Sequence, residues 1–290
     1  MRKTQNSKPQ GRPAPRHLRG QKPTPKADPR STPKSSSSEN YAFVHVPREW
    51  RTVTGTHAIS ELMQVRPKSI QMAWLKQGWE SSQDLKELAQ QLKARNIKIE
   101  IKPAGFLDKF ASSNQGAILF SNQRPEINWQ ALEQETHARM MVLDGLEDPH
   151  NLGAILRTGW LMGIGGVLIP EDRSVGLTST VHKVACGGVE HVPVEAHVNF
   201  TNPIEDLKKK GFWVFGLSHL GERSIFDLNI PEKVVWCVGS EDKGLRSTTE
   251  RLCDELVQIP QASAAASYNA SVAAAIALTE TIRVHSHKKL

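Results

Sequence analysis

Apolar residues in the first half of the chain recur with a helical period and then with an extended one. Ile59, Leu62 and Met63 fall on one face of a predicted helix, and a row of leucines predicts a second helix over residues 82–95. Short apolar or alternating runs predict three strands, at residues 70–75, 97–101 and 116–120. A segment of about 70 residues can bury a small core, so these elements predict a small α/β domain.

From residue 140 onwards, short apolar runs alternate with amphipathic segments. The predicted strands are 140–143, 167–169, 212–217, 234–238 and 257–259. The predicted helices are 152–162, 178–184 and 202–210, followed by an Ala-rich helix near the C-terminus. This alternation favours a parallel sheet covered on both faces. The polar segment 122–138 contains a proline and is predicted to be a linker with some helix.

Residues 1–48 form the most polar part of the chain. They are rich in Pro, Lys, Arg and Ser and contain few large apolar side chains, so we expect a disordered tail. Ten Lys and Arg residues and one acid give residues 1–38 a charge of +9, whereas the whole chain carries +7. The cationic field therefore belongs to the tail. Flexible cations suit sequence-independent phosphate contacts, but the composition leaves open whether the tail contacts RNA.

Composition argues against several classes of protein. No apolar run approaches the roughly 20 residues that span a bilayer, and the N-terminus lacks the apolar core of a signal peptide. Seven prolines in residues 1–38 disfavour the amphipathic helix of a transit peptide. Cys186, Cys237 and Cys253 lie far apart without CxxC spacing, so we expect neither disulfides nor a metal site, and a cytoplasmic protein.

Two glycine-rich segments partly resemble nucleotide-binding motifs but lack features that those motifs require. Gly163-x-Gly165-Gly166 follows a predicted helix and precedes a strand, the reverse of the dinucleotide fingerprint, and is predicted to be a helix-to-strand turn. The sequence GSEDKGL after the strand 234–238 lacks the GK[ST] of a P-loop. His57, close to Gly55, fits either a turn or capping residue or a ligand contact.

Three polar motifs in the second half each have an ordinary structural explanation. Asn151 and Arg157, six residues apart, fit a helix cap and a surface cation, and they face one side only if Asn151 still lies in the preceding loop. Glu241 fits a solvated acid in a turn. Ser267-x-Asn269, which precedes the Ala-rich helix, fits an N-cap pair.

Together these motifs resemble a known family. N-x-G-A-I-x-R, V-G-S-E-x-K-G-L and I-P…S-x-N-x-S-V-A are similar, in this order, to the three signature motifs of the SpoU/TrmH family of RNA 2′-O-ribose methyltransferases. The turn VACGGVEHVPV also resembles that family. The segment 53–120, with its G-x-H-A-x-x-E-L opening, resembles the L30-like substrate-binding domain often found ahead of the catalytic domain.

The resemblance implies a domain plan, a fold and a cofactor. The implied plan is a disordered basic tail (1–48), an L30-like RNA-binding domain (49–121), a linker (122–138) and a SPOUT methyltransferase domain (139–290). That last domain would be an α/β fold with a parallel sheet and a deep trefoil knot. The resemblance also implies a homodimer, rRNA or tRNA as substrate, and S-adenosylmethionine as methyl donor.

The resemblance also assigns residues. It implies that Gly239, Gly244, Ile259 and Tyr268 bind the cofactor, and that the reaction site contains Asn151, Arg157, Glu241, Ser267 and Asn269. Arg157 is the activator that the family suggests. Because the pKa of arginine lies above about 12, stabilisation of developing negative charge on the ribose oxygen is the more plausible role on physical grounds.

The last motif departs from the family pattern. Gln261 stands where Met is usual, Ser263 where Gly is usual, and Tyr268 and Ala270 where Leu and Val are usual. A ring at position 268 would either stack on the adenine of the cofactor or crowd it. The alternative function is therefore an RNA-binding or ribosome-associated protein that keeps the fold and has lost turnover.

Overall fold

The computed structural model describes residues 46–111, 113–263 and 266–287. All but the last three residues of the predicted tail 1–48 lie outside the described residues. Among the helices within these ranges, none combines the length and apolar character needed to cross a membrane.

The first part of the described chain is a four-stranded sheet with three helices. The strands are β1 (Arg51–Thr54), β2 (Ile70–Lys76), β3 (Lys98–Lys102) and β4 (Ala117–Ser121). The helices are α1 (Thr56–Val65), α2 (Gln83–Ala94) and α3 (Ala104–Phe110). The sheet order is β1-β4-β2-β3, in which β4 is antiparallel to β1 and β2 while β3 is parallel to β2. The small α/β unit predicted from the apolar pattern is present.

Two short elements of this sheet differ from the sequence-based prediction. Strand β1, which was not predicted, contains Val53 and Thr54 and pairs with β4, and the chain turns at Gly55, where φ is +89°. A four-residue edge strand has too few positions to show alternation. Helix α3, which was not predicted, is only seven residues long and follows Pro103.

The second part is a seven-stranded sheet with six helices. The strands are β5 (Ala138–Asp144), β6 (Gly166–Pro170), β7 (Val194–His197), β8 (Trp213–Leu217), β9 (Arg223–Ser224), β10 (Lys233–Gly239) and β11 (Glu255–Gln258). The helices are α4 (Trp129–Gln134), α5 (Pro149–Leu161), α6 (Ser179–Ala185), α7 (Thr201–Lys209), α8 (Ser247–Glu250) and α9 (Ala270–His287). Every strand pairing is parallel, in the order β7-β6-β5-β10-β8-β11-β9. This confirms the predicted parallel α/β sheet.

The central strands are buried on both faces, which is why they lack alternation in the sequence. Met141 and Trp236 belong to an apolar cluster with α5 and α9, whereas Met140 and Val235 belong to a second cluster with α7. The buried Trp236 donates a hydrogen bond of 2.9 Å from its indole nitrogen to the Thr281 hydroxyl, which ties α9 to the sheet. Because β5 and β10 are parallel neighbours, their carboxyl ends lie side by side. Ligands bind at this edge in such sheets.

The two sheets meet at the turn between α6 and β7. Arg51 from β1 and Arg66 both donate hydrogen bonds to the buried carboxylate of Glu190. Next to this pair, the His191 ring lies 2.7 Å from the Glu61 carboxylate and stacks on Trp160, with ring centroids 4.1 Å apart. Charged side chains therefore dock the first sheet against the second.

Candidate active site

The site begins where β10 ends in a tight turn. Gly239 pairs with Asp144 across β10 and β5, and Ser240 and Gly244 then exchange two backbone hydrogen bonds of 3.1 and 2.9 Å. A Cβ at position 239 would lie 2.0 Å from the carbonyl carbon of Gly244, and Gly244 itself has φ of +66°. The close backbone approach requires glycine at 239, and the left-handed φ favours glycine at 244.

An ion pair that was not predicted from the sequence holds the far side of this turn. The carboxylate of Asp144, which is almost fully buried, accepts hydrogen bonds from the Arg246 backbone N–H at 2.9 Å and from its Nε at 2.5 Å. The two residues lie 102 positions apart. The sequence signal for this pair was a single acidic residue, Asp144, at the end of an apolar strand. A buried carboxylate is strongly unfavourable unless it is paired.

The three predicted motifs converge just beyond the turn. Asn269 donates from Nδ2 to Glu241 Oε1 at 2.7 Å and to Asn151 Oδ1 at 2.9 Å. Asn151 also donates from Nδ2 to Glu241 Oε1. One carboxylate oxygen of Glu241 thus accepts from two amides that are 118 residues apart in sequence. We refer to these three residues as the amide–carboxylate network.

Helix geometry sets the amide orientations in this network. Asn269 Oδ1 accepts from the backbone N–H of Ser271 at 2.9 Å and from its hydroxyl at 2.6 Å, so the amide nitrogen points towards Glu241. Asn269 therefore caps α9, as expected for a residue at an N-cap, and it is also part of the network. Asn151 is not a cap, because Asp148 caps α5 by accepting from the His150 backbone N–H.

Arg157 lies outside the network within one chain. Asn151 already belongs to the first turn of α5, so the condition under which it would face the same side as Arg157 is not met. The exposed guanidinium of Arg157 instead donates to the Cys186 sulfur at 3.6 Å. His57 likewise lies away from this site, exposed in the first turn of α1.

A cavity of about 930 Å³ opens beside the network at the carboxyl end of the sheet. Six of the predicted site residues line it: Gly239, Glu241, Gly244, Ile259, Ser267 and Tyr268. Leu217, Val238 and Ile259 supply apolar walls, and ligand pockets of about 300–1,000 Å³ with such walls and a few polar groups are typical of cofactor sites. The lining thus combines apolar side chains with the charged side chains of Glu241, Asp242 and Lys243.

Three of the four altered positions of the last motif line this cavity, namely Gln261, Tyr268 and Ala270. Tyr268 is 40% exposed, and its hydroxyl donates to the Pro260 carbonyl oxygen at 3.1 Å. Gln261 is exposed and also lines the cavity. The hydrogen bond to Pro260 ties the Tyr268 ring to the cavity wall.

Two family models match most of the described chain. Residues 138–279 match the SpoU rRNA Methylase family, and residues 52–125 match the RNA 2′-O ribose methyltransferase substrate-binding family.

Curated relatives and a solved structure extend the match. The 23S rRNA (guanosine-2′-O-)-methyltransferase RlmB of Neisseria meningitidis is 34% identical, over 80% of this chain and 95% of its own length. RlmB of Nitrosomonas europaea is 36% identical, over 81% of this chain and 92% of its own. The SpoU methyltransferase AviRb of Streptomyces viridochromogenes, solved with the cofactor AdoMet, shares the fold with a TM-score of 0.70 at 19% identity, over 82% of this chain and 91% of its own.

Proposed function

The chain belongs to the SpoU rRNA methylase family and is an S-adenosylmethionine-dependent RNA 2′-O-methyltransferase, and we propose that it methylates a guanosine ribose of 23S rRNA. The convergence of Asn151, Glu241 and Asn269 beside the cavity is the observation on which the proposed site rests. The RlmB relatives, which the chain matches over nearly their whole length, support the choice of 23S rRNA.

We infer that the cofactor occupies the cavity of about 930 Å³. When bound, S-adenosylmethionine supplies the methyl group that the ribose 2′-oxygen accepts. The backbones of Gly239 and Gly244 offer close approach, while Ile259 and Tyr268 provide apolar contact for the base. Glu241, held by its two amide partners, orients the loops around the reacting atoms.

The proposed role of Arg157 rests on its charge, and that of Ser267 on its position in the cavity lining. A ribose hydroxyl is a weak nucleophile, so negative charge must be stabilised as its proton leaves. The guanidinium of Arg157 supplies a positive charge that stabilises this negative charge, so Arg157 acts as an electrostatic group. Ser267, exposed on the cavity wall, adds a hydroxyl next to Tyr268.

A homodimer and a deep trefoil knot are part of this proposal. The face between α5 and α9 exposes Phe226 and Val272, which are 52% and 45% exposed, beside Ala154 and Thr158. Exposed apolar patches of this kind mark interaction sites, and the small side chains allow a second helix to approach closely. Arg157 is a sequence neighbour of this face, so a second copy bound there would lie next to it. We infer that Arg157 serves the partner's cavity.

The domain plan also belongs to the proposal. The front domain (49–121) would bind the RNA, and the domain 139–290 would perform the transfer, with 122–138 as the linker between them. A 23S rRNA substrate implies a cytoplasmic enzyme.

The proposal is tested by mapping ribose methylation across 23S rRNA from a strain lacking this protein. We expect one guanosine 2′-O-methyl to disappear and to return when the wild-type gene is supplied. An unchanged map would refute the proposed substrate and favour the alternative, an RNA-binding protein that retains the fold without turnover.

A further inference from the structure

A second cavity lies where the two sheets meet, away from the amide–carboxylate network. Its volume is about 470 Å³. Residues from β1, the end of α3, the segment after β4 and the start of α6 form its walls. The lining that matters here comprises Thr54, Phe110, Arg124, Leu177, His182 and Val189.

The buried histidine of this cavity has unused hydrogen-bonding capacity. His182 is only 5% exposed, and its Nδ1 has no hydrogen-bond partner among the described residues. Burial lowers the pKa of His182 to about 4, partly opposed by the charge of Glu190 and reinforced by that of Arg51. The ring is therefore neutral at pH 7. An unsatisfied buried polar atom is unfavourable, and a ligand group that hydrogen-bonds to Nδ1 would remove that cost.

The remaining lining combines an aromatic ring, apolar walls and a cation. Phe110 is 44% exposed, and Leu177 and Val189 add apolar surface. Arg124 is exposed at the rim, whereas the guanidinium of Arg51 is already held by Glu190. A buried carboxylate next to the cavity disfavours a free anion. A planar, uncharged base with a phosphate directed towards the rim matches these groups, because unpaired bases stack on aromatic rings and hydrogen-bond through their edges.

We propose that this cavity binds an unpaired base of the substrate RNA, close along the strand to the methylated nucleotide. The inference rests on the proposed function for the presence of RNA. His182 lies four residues before Cys186, about one helical turn along α6 and its cap. Cys186 in turn contacts Arg157. A base bound here therefore belongs to a nucleotide near the one that Arg157 serves, and the cavity contributes to choosing which nucleotide is methylated.

The test measures binding of fluorescein-labelled hexauridylate and hexaadenylate to the full chain by fluorescence anisotropy at fixed salt. Phe110→Leu keeps an apolar side chain but removes the ring, whereas Phe110→Tyr keeps the ring. Loss of stacking on one base should weaken binding by about 5- to 150-fold in Phe110→Leu, whereas Phe110→Tyr should bind like the wild type. Arg124→Ala should also weaken binding, whereas Lys209→Ala, which removes an exposed cation on α7, outside the front domain, should not.

Binding that is insensitive to Phe110→Leu and Arg124→Ala, or equally weakened by Lys209→Ala, would overturn the proposal. If Phe110→Leu fails to fold in a thermal melt, the wild-type chain is crosslinked to a hexamer carrying 5-iodouridine. Crosslinks to peptides containing Phe110 or His182 support the cavity, and crosslinks only elsewhere refute it. Phe110-dependent binding without methyl transfer would count against the proposed function alone. Normal transfer with insensitive binding would count against the cavity alone.

Discussion

Arg51 and Glu190, which lie 139 positions apart, form a buried bidentate ion pair in which both nitrogen–oxygen distances are 2.6 Å. Burial would raise the pKa of Glu190, but hydrogen bonds and charge from Arg51 and then Arg66 outweigh it and hold that pKa below its usual value. The same turn contains Cys186, which contacts Arg157. Docking of the first sheet and placement of Arg157 therefore depend on one segment.

Removing the Glu190 carboxylate should strongly destabilise the protein. Glu190→Gln leaves two guanidinium groups facing a buried site without a counter-charge, which costs about 3–5 kcal/mol in comparable buried pairs. Urea unfolding measures the change in the free energy of unfolding. Glu195→Gln is the matched control, because Glu195 is half-buried and only loosely paired with His197 at 3.6 Å. Equal stability of the two variants would show that the buried pair contributes little.

Stability should fall with acidification because of His182. Its pKa drops from 6.5 in the unfolded chain to about 4 in the fold, so the unfolded state binds more protons between these values. The contribution is fully present above pH 6.5 and lost as the pH falls towards 4, by about 3 kcal/mol. In urea titrations at several pH values, His182→Gln should show a shallower decline than the wild type. Parallel declines would contradict the assignment.

The Gly239 turn should be intolerant of any side chain. A Cβ there would lie 2.0 Å from the Gly244 carbonyl carbon, and overpacking of this kind costs about 1–3 kcal/mol. If the strain distorts the turn, calorimetry should show that S-adenosylmethionine binds about 5- to 150-fold more weakly. Gly176→Ala serves as the control, since a Cβ at position 176 meets open space. Unchanged affinity in Gly239→Ala would place the cofactor elsewhere.

Two inactive variants should complement each other if Arg157 acts across a dimer. Arg157→Ala should bind S-adenosylmethionine normally and lose methyl transfer, and Glu241→Gln should lose transfer too. When the two are co-expressed, about a quarter of wild-type activity should return, because half of the dimers are mixed and each mixed dimer has one complete site. No recovery, with dimers confirmed by sedimentation, would mean that Arg157 serves its own chain.

Much of the fold was predictable because its signals are local. Strands β5 and β10 are uniform apolar runs since both faces are buried, and Gly163 does mark a turn between α5 and β6. The proposed site residues Asn151, Glu241 and Asn269 came from the resemblance of their motifs to the SpoU/TrmH family, because each motif alone has an ordinary structural explanation.

The pairing of distant residues was not predictable in this way. Two ion pairs, Asp144–Arg246 and Arg51–Glu190, join residues more than a hundred positions apart. The sequence around each residue gives no indication of its partner. The shortest elements, β9 and α8, have two and four residues, which is too few to display a period. The start of α5 was predicted at residue 152, but the helix begins at Pro149, because its N-cap is Asp148 and not Asn151.

The most direct test of the account is transfer of tritiated methyl from S-adenosylmethionine to an unmodified 23S rRNA transcript. The wild type should label a single guanosine ribose, and Glu241→Gln should reduce the rate by roughly a hundredfold, since loss of positioning at a reaction site has that magnitude. Glu205→Gln, which changes an exposed acid on α7, should leave the rate unchanged. Absence of labelling by a wild-type protein that binds S-adenosylmethionine, or full activity of Glu241→Gln, would contradict the account.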